Sequence, residues 1–267
     1  MPELPGALDL GAYLERIGFS GPARADLETL RALHARHAEA IAFENLAAFL
    51  GEPVRLDIES LQEKLVRGRR GGWCFEQNLL FASVLEAIGF RVRRLAARVR
   101  WNVPPGTVTA RSHMLMEVEV AGEPWIADVG FGGQSLTAPL RLEPGLEQET
   151  PHEPFRVVAE AAAFVLQAHV EGEWRALYAF ERHEQHLADY EVSNWYLANH
   201  PQSQFVTGVI AARAAAGLRH ALRNARYAIH HRGGRTEKRV LASVEEIRRV
   251  LEEDLRIPLP AHPALDA

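Results

Sequence analysis

The chain has one cysteine, Cys74, in the stretch Arg70-Gly71-Gly72-Trp73-Cys74-Phe75-Glu76-Gln77-Asn78. Two glycines precede this cysteine and an apolar helical pattern begins at it, which predicts a thiol in the first turn of a helix. The unpaired N–H groups and partial positive charge of a helix N-terminus favour thiolate over thiol. Since a lone cysteine is more often a small buried hydrophobe, the rest of the sequence must decide between a reactive and a structural thiol.

A nucleophilic cysteine needs a base within hydrogen-bond reach and a group that orients the base. Alternating apolar residues on both sides of Ala121-Gly122 predict a β-hairpin with a two-residue turn, and this hairpin supplies both groups. With that turn, His113 faces Gly130. Asp128 faces Leu115 and shares a face with His113, with Cβ atoms about 7–8 Å apart. A register slip of one residue would separate the two side chains.

Each of these residues also has an ordinary structural explanation. A histidine in a strand is usually structural, and Asp128 before Val129-Gly130 can simply begin a turn. Because His113 and Asp128 share one face and the chain also carries an activated cysteine, the sequence favours a catalytic triad of Cys74, His113 and Asp128.

The other histidines do not follow a zinc-binding pattern. Two pairs have the three-residue spacing that can hold a metal, namely His34 with His37 and His183 with His186. No tract combines them with an acidic ligand in a zinc pattern, and there is only one cysteine. The sequence therefore predicts no metal site.

The glycine-rich stretch Gly130-Phe131-Gly132-Gly133 has neither the spacing of a dinucleotide-binding loop nor the Lys-Ser/Thr of a Walker loop. It follows Asp128 directly in the chain. We therefore interpret it as an open loop beside the site, in which Phe131 offers an aromatic face.

Composition excludes several classes of function. The net charge is -5, the pI is about 6.2, and both signs are interspersed, so no basic face invites nucleic acid. No apolar run is long enough to span a membrane. A single cysteine forms no internal disulfide, and Met1-Pro2-Glu3-Leu4-Pro5 shows no export signal. We expect a cytoplasmic protein that acts on small molecules, and the sequence leaves its oligomeric state open.

Helical spacing predicts helices that begin after Asp9, after Asp26, at Ile58 and at Cys74, the last of them buried on most sides. From Arg91 the apolar period becomes strand-like, which predicts an antiparallel barrel or sheet that contains the hairpin. Its further strand-like runs are residues 155–158, 163–170 and 174–180.

The last part of the chain has a mixed pattern. Residues 205–210 and 227–230 are strand-like, and a final helix begins at Ser243, which forms a capping-box pattern with Glu246. With the preceding parts, this predicts an α+β fold.

These residues resemble the arylamine N-acetyltransferase family. The resemblance rests on the stretch around Cys74, on Ser112-His113-Met114 and on residues 125–133, and it covers nearly the whole chain. Further matching stretches are residues 13–18, His37, 41–46, 199–201 and 203–205. Ala42 stands where a proline is common in the family, and Trp73 where a tyrosine is frequent. Both departures concern packing and leave the chemistry intact.

The resemblance implies a helical domain over residues 1–90, a β-barrel domain over 91–198 and an α/β lid over 199–267, with a cysteine-protease-like core. It implies a ping-pong reaction in which Cys74 takes an acetyl group from acetyl-CoA, a co-substrate, and an arylamine or arylhydrazine then attacks the thioester. Glu76, Gln77 and Asn78 would support the triad. By position, the residues that match family residues near the CoA or the arylamine are Trp101, Gly130, Phe131, Gly132 and Phe205.

Three other functions remain open at this point. An amide synthase of the same fold would take its acyl group from a carrier-bound polyketide and close a macrolactam, and the sequence separates it poorly from an acetyltransferase. A cysteine hydrolase of the transglutaminase or papain type has a similar order of cysteine, histidine and aspartate. A catalytically silent binding module would carry the three residues by accident.

Overall fold

The computed structural model describes residues 7–104, 106–262 and 265. Residues 1–5, in which the sequence predicts no export signal, lie outside the part of the chain that the structure describes. Within the described ranges, no helix has both the length and the apolar character that crossing a bilayer requires.

Helices dominate the amino-terminal part, and they begin where the sequence predicts. The side chains of Asp9 and Asp26 cap the first two helices by accepting hydrogen bonds from Ala12 N and Thr29 N. The helix that carries the cysteine ends at Gly89, which has the left-handed φ of 106° that favours glycine. The helices are α1 (Leu10–Arg16), α2 (Leu27–Ala40), α3 (Leu46–Phe49), α4 (Ile58–Leu61, continued as a π-helix over Gln62–Arg67) and α5 (Cys74–Ile88).

A nearly closed, eight-stranded antiparallel sheet follows, which we call the barrel, with its strands in the order β5-β4-β3-β2-β9-β8-β7-β6. It encloses its own apolar core, in which Leu115, Phe155 and Tyr178 are fully buried. The strands are β2 (Arg91–Val99), β3 (Arg111–Val120), β4 (Glu123–Ala127), β5 (Leu140–Arg141), β6 (Glu147–Gln148), β7 (Phe155–Glu160), β8 (Ala163–Val170) and β9 (Glu173–Phe180).

The predicted hairpin is confirmed in its register. Met116 pairs with Ala127, as a two-residue turn requires, and the turn residues Ala121 and Gly122 both have positive φ, 52° and 80°. The paired part of β4 ends at Ala127, so Asp128 is the first residue beyond the strand.

The carboxyl-terminal part contains α6 (Leu187–Asn199), α7 (Gln204–Thr207) and α8 (Val244–Arg249, continued as a π-helix over Val250–Asp254). Its five-stranded antiparallel sheet has the order β1-β10-β11-β12-β13. These strands are β1 (Phe43–Glu44), β10 (Ile210–Ala215), β11 (Leu218–Arg223), β12 (Arg226–His231) and β13 (Thr236–Val240). The edge strand β1 thus comes from the amino-terminal part of the chain.

The strand prediction for residues 205–210 is wrong over most of that range. The Ser203 hydroxyl accepts a hydrogen bond from Phe205 N and starts the short helix α7, and the strand begins only at Ile210. The predicted run 227–230 lies within β12, and the final helix begins after Ser243 as predicted. The architecture as a whole is α+β, in agreement with the sequence.

The two glycines before Cys74 permit a close approach between two segments. Gly72 N donates to Ala42 O, and Glu44 N donates to Gly72 O, so this stretch runs directly beside β1. A Cβ atom on Gly71 would lie 2.1 Å from Ala42 O and 2.8 Å from Glu44 Cγ. Position 71 therefore requires glycine, because any side chain there would separate the segment before α5 from β1.

We expect Gly71→Ala to lower the free energy of unfolding by about 1–3 kcal/mol, because the new methyl group overlaps backbone that cannot move freely. Urea unfolding would measure the change. Gly133→Ala is the matched control, since a Cβ there meets only Ala221 Cβ, at 4.0 Å, and its effect should stay within about 0.5 kcal/mol. Equal stability of the two variants would contradict this account of Gly71.

Candidate active site

Cys74 is the first residue of α5 and is 6% exposed. Its Sγ lies 3.7 Å from Ser112 O on β3, and the thiol is close enough to His113 to contribute to the raised pKa of that imidazole. The carboxylate of Glu76 accepts a hydrogen bond from Trp73 N at 3.0 Å and fixes the turn that presents the thiol. The sulfur therefore sits at a helix N-terminus and beside an imidazole, as the sequence predicts.

His113 on β3 lies between the thiol and a carboxylate. Its Nε2 is 2.7 Å from Asp128 Oδ2, and both side chains are buried. Burial alone would lower the pKa of His113, but the charge and hydrogen bond of Asp128 raise this pKa above its usual range, with a smaller contribution from Cys74. The geometry thus favours an imidazolium next to Cys74.

Asp128 is completely buried, and donors surround its carboxylate. Besides His113, Oδ2 accepts a hydrogen bond from Tyr178 OH at 2.9 Å. Oδ1 accepts from Asn78 Nδ2 at 2.9 Å and from Gly130 N at 3.0 Å. Burial alone would raise the pKa of Asp128, but the charge and hydrogen bond of His113, together with the hydrogen bonds from Asn78 and Gly130, hold the pKa below its usual value.

The three residues that follow Cys74 and Phe75 tie α5 to its surroundings. Asn78 joins α5 to the hairpin, because its Nδ2 also donates to Met114 O and its Oδ1 accepts from Val129 N. Gln77 Nε2 donates to Gly72 O at 2.6 Å. Through these bonds the helix that carries the thiol and the hairpin that carries the imidazole and the carboxylate hold one fixed relation.

Two residues in contact with the triad were not identified from the sequence. Tyr178 on β9 donates to Asp128 and lies with its ring 4.8 Å from that of His113. His34 on α2 accepts a hydrogen bond from Asp128 N through Nε2, at 3.2 Å. Neither had a local signal, since Tyr178 belongs to an ordinary strand pattern and His34 to an ordinary helical stripe.

The loop of residues 130–133 lies beside the triad. A Cβ on Gly130 would be 2.7 Å from Cys74 Cα, so the loop touches the start of α5. The ring of Phe131 meets that of His113 edge-on, with 5.0 Å between centroids. Gly132 has a positive φ of 85° and lies against the ring of Phe43.

Phe205 packs near the residue that precedes the thiol. Its ring centroid is 5.3 Å from that of Trp73 and 6.2 Å from that of Phe43. The buried side chain of Asn45 fixes this segment by donating to Phe205 O and to Gly208 O, both at 2.7 Å. Trp101 lies in the turn that follows β2 and carries the guanidinium of Arg175 over its ring, 4.1 Å from the centroid.

A cleft of about 730 Å³ lies between the barrel and the five-stranded sheet. Phe131 lines it and connects it to His113. Its other lining residues include Trp101 and the basic side chains of Arg175, Arg232 and Lys238. Glu153 and Glu171 also line it, and the basic side chains can attract a negatively charged molecule to a cleft that lies next to His113 through Phe131. In the described ranges, no three His, Cys, Asp or Glu side chains cluster as a metal site requires.

Comparison with known proteins places this chain in a family. The N-acetyltransferase family model matches residues 26–264. The arylamine N-acetyltransferase of Mycolicibacterium smegmatis is 46% identical over an alignment of 235 residues that covers 86% of this chain and 85% of that protein. This chain belongs to the arylamine N-acetyltransferase family.

Further members of the family agree in sequence and in fold. The arylamine N-acetyltransferase of Escherichia coli (strain K12) is 42% identical over 245 residues, covering 91% of this chain and 87% of that protein. The structure of Mycobacterium marinum arylamine N-acetyltransferase in complex with CoA is similar with a TM-score of 0.90 at 44% identity, over 93% of each chain. The family resemblance and the α+β fold are confirmed, and the protein is an acyltransferase.

The His113–Asp128 pair predicts a specific dependence of stability on pH. Because the pKa of His113 is raised in the folded protein, its contribution to stability is complete below the unfolded-state pKa of about 6.5 and is lost as the pH rises through the folded-state value. In urea unfolding at a series of pH values above about 6.5, the free energy of unfolding should fall more steeply for the wild type than for His113→Gln. Parallel pH profiles would show that the imidazole gains no proton affinity on folding.

Proposed function

We propose that this enzyme transfers an acetyl group from acetyl-CoA to the nitrogen of arylamines and arylhydrazines by a ping-pong mechanism with a Cys74 thioester. The observation that supports it best is the buried His113–Asp128 pair, joined by a 2.7 Å hydrogen bond and lying beside Cys74. In this proposal the helical domain (residues 1–90) supplies the nucleophile, the barrel domain (91–198) supplies the base and its orienting carboxylate, and the lid (199–267) covers the site.

In the first half-reaction, the Cys74 thiolate attacks the acetyl carbonyl carbon of acetyl-CoA. Backbone N–H groups, including that of Cys74 at the start of α5, stabilise the oxyanion of the tetrahedral intermediate. The C–S bond to CoA then breaks, and the CoA sulfur leaves with the proton of the His113 imidazolium. Asp128 holds the ring orientation and stabilises its positive charge before this transfer.

In the second half-reaction, the neutral nitrogen of the arylamine attacks the thioester carbonyl. His113 takes the nitrogen proton as the amide bond forms, and Cys74 leaves as a thiolate, which restores the starting pair. The aromatic rings of Phe43, Phe131 and Phe205 near the thiol suit an aryl acceptor.

The donor fits the cleft between the barrel and the five-stranded sheet. CoA carries several phosphate charges, and Arg175, Arg232 and Lys238 supply positive charge along this cleft. We assign donor contacts to Trp101 and Phe131, which line the cleft. We assign contacts near the reacting end to the residues beside the thiol and the loop, namely Gly130, Gly132 and Phe205. In this proposal the enzyme works in the cytoplasm, where an unpaired thiol stays reduced.

Intact mass spectrometry after mixing with acetyl-CoA tests the acyl-enzyme directly. We expect the protein to gain the mass of one acetyl group, on Cys74, and to lose it when 5-aminosalicylate or hydralazine is added, with formation of the N-acetyl product. Cys74→Ala should fold normally, as its melting temperature would show, and gain no mass.

Other outcomes of this experiment point to other functions. Loss of the acetyl group to water at the same rate without an amine would indicate a hydrolase. Absence of any CoA release, in a protein whose Cys74 is still alkylated rapidly by iodoacetamide, would favour the amide synthase. A protein that never becomes acetylated and binds CoA unchanged would be a binding module.

The state of the thiol gives a second test. We expect iodoacetamide to modify Cys74 rapidly at pH 6, because the neighbouring imidazolium keeps the sulfur ionised. Asp128→Asn should slow this alkylation by about tenfold or more, since the ring loses the carboxylate that holds its charge. The rate would be followed by mass spectrometry, and equal rates in the two proteins would contradict the proposed role of Asp128.

A further inference from the structure

A second cluster of buried polar side chains lies where the barrel meets the five-stranded sheet. His152, in the connection between β6 and β7, is 7% exposed. Its Nε2 donates to Ala215 O at 2.9 Å and to Leu218 O at 3.1 Å. These two carbonyl groups stand on either side of the turn between β10 and β11. One barrel-side histidine therefore holds the tip of a hairpin in the other sheet.

The other ring nitrogen is also bound. The Thr137 hydroxyl is 3.1 Å from His152 Nδ1 and donates to it, which places the ring proton on Nε2. The Thr150 hydroxyl accepts from His152 N and donates to Glu153 O at 2.7 Å. Burial and the neighbouring Arg219 lower the pKa of His152, so the ring is neutral at physiological pH.

The next residue makes a second link across the same junction. The carboxylate of Glu153 pairs with the guanidinium of Arg219 on β11, with Nε 3.1 Å from Oε2 and the terminal nitrogen 2.8 Å from Oε1. The Arg219 side chain is only 4% exposed. The Glu153 side chain is 18% exposed, so water screens this hydrogen-bonded ion pair less than a pair on the open surface, and it fixes orientation more firmly than such a pair. We call His152 and Glu153, with their partners on β10 and β11, the junction clamp.

The junction clamp lies in the wall of the cleft that the proposed function assigns to CoA. His152, Glu153 and Arg219 all line this cleft, together with the loop that carries Gly133 and Gln134. The opposite sides of the cleft belong to different sheets, so its width depends on how firmly the sheets are joined. We propose that His152 and Glu153 are positioning residues that set the width of this cleft and thereby select a long nucleotide thioester as acetyl donor.

This inference rests on the proposed function. It concerns the binding of the acetyl donor and makes no claim about the reaction at Cys74. The part of the loop next to the triad is anchored separately, because Asn78 accepts from Val129 N and Asp128 accepts from Gly130 N. Loss of the junction clamp should therefore widen the cleft and leave the triad in place.

Two acetyl donors of different size separate these effects. Acetyl-CoA must place its nucleotide in the cleft to react. The small activated ester p-nitrophenyl acetate needs only the triad and the space beside it. A positioning role predicts that loss of the clamp impairs the reaction with acetyl-CoA alone, whereas a merely structural role predicts equal losses with both donors.

The experiment compares His152→Leu, which has similar bulk and no hydrogen bonds, with His152→Gln, whose amide can still donate to the two carbonyls. We expect His152→Leu to raise KM for acetyl-CoA about tenfold, the factor that corresponds to losing a few ordinary hydrogen bonds. Its kcat/KM for p-nitrophenyl acetate should change less than about twofold. His152→Gln should recover most of the affinity for acetyl-CoA.

Glu153→Gln and Thr137→Val keep the shape of their side chains and extend the test if His152→Leu does not fold. Each should raise KM for acetyl-CoA about threefold with the ester reaction unchanged. His183→Leu is the matched control, because the side chain of His183 is 85% exposed and its loss should change neither donor.

The inference is overturned if folded clamp variants keep the wild-type KM for acetyl-CoA, or if they lose activity equally with both donors. Failure of the proposed function looks different. In that case the wild type itself would take no acetyl group from acetyl-CoA onto Cys74.

Discussion

A charged pair of side chains, His113 and Asp128, is held away from water at the centre of this protein, and the rest of the site is arranged to keep it there. Such a pair is costly to bury unless every lone pair and proton finds a partner. Asp128 meets this condition with donors from four elements: the hairpin, α5, β9 and the loop after β4. The carboxylate thus serves as the point at which the helical part, the barrel and the loop are joined.

This arrangement gives a physical reason for the position of the Cys74 thiol on a helix rather than on the hairpin. Asn78 stands one helical turn after Cys74 and bonds both to the hairpin and to Asp128. The distance between the Cys74 sulfur and the His113 imidazole is therefore set by a rigid helix and by the hydrogen bonds of the buried Asn78 side-chain amide. A nucleophile on an exposed loop would lose more conformational entropy on reaching the same alignment.

The features that follow from local rules could be predicted from the sequence. Asp9 and Asp26 are typical N-cap residues and mark the starts of α1 and α2. The turn Ala121-Gly122 fixes the hairpin register that brings His113 and Asp128 to one face. The features that depend on distant partners could not be predicted. Tyr178 reaches Asp128 only because β9 pairs with β2, and Phe205 lies in a helix because Ser203 caps it and Asn45 binds its carbonyl. The hydrogen bonds of His152 to β10 and β11 have no sequence signal, since they depend on how two sheets meet.

The strand β1 has a consequence for the order in which the molecule can be completed. Phe43 and Glu44 form the edge of a sheet whose other strands begin at Ile210, so their pairing partner is synthesised much later than they are. Until then an emerging polypeptide carries an unpaired strand edge next to the segment that holds Cys74. The five-stranded sheet is therefore completed only after the strands from Ile210 onward have been synthesised, and a chain that stops before them would leave the edge of β1 unpaired.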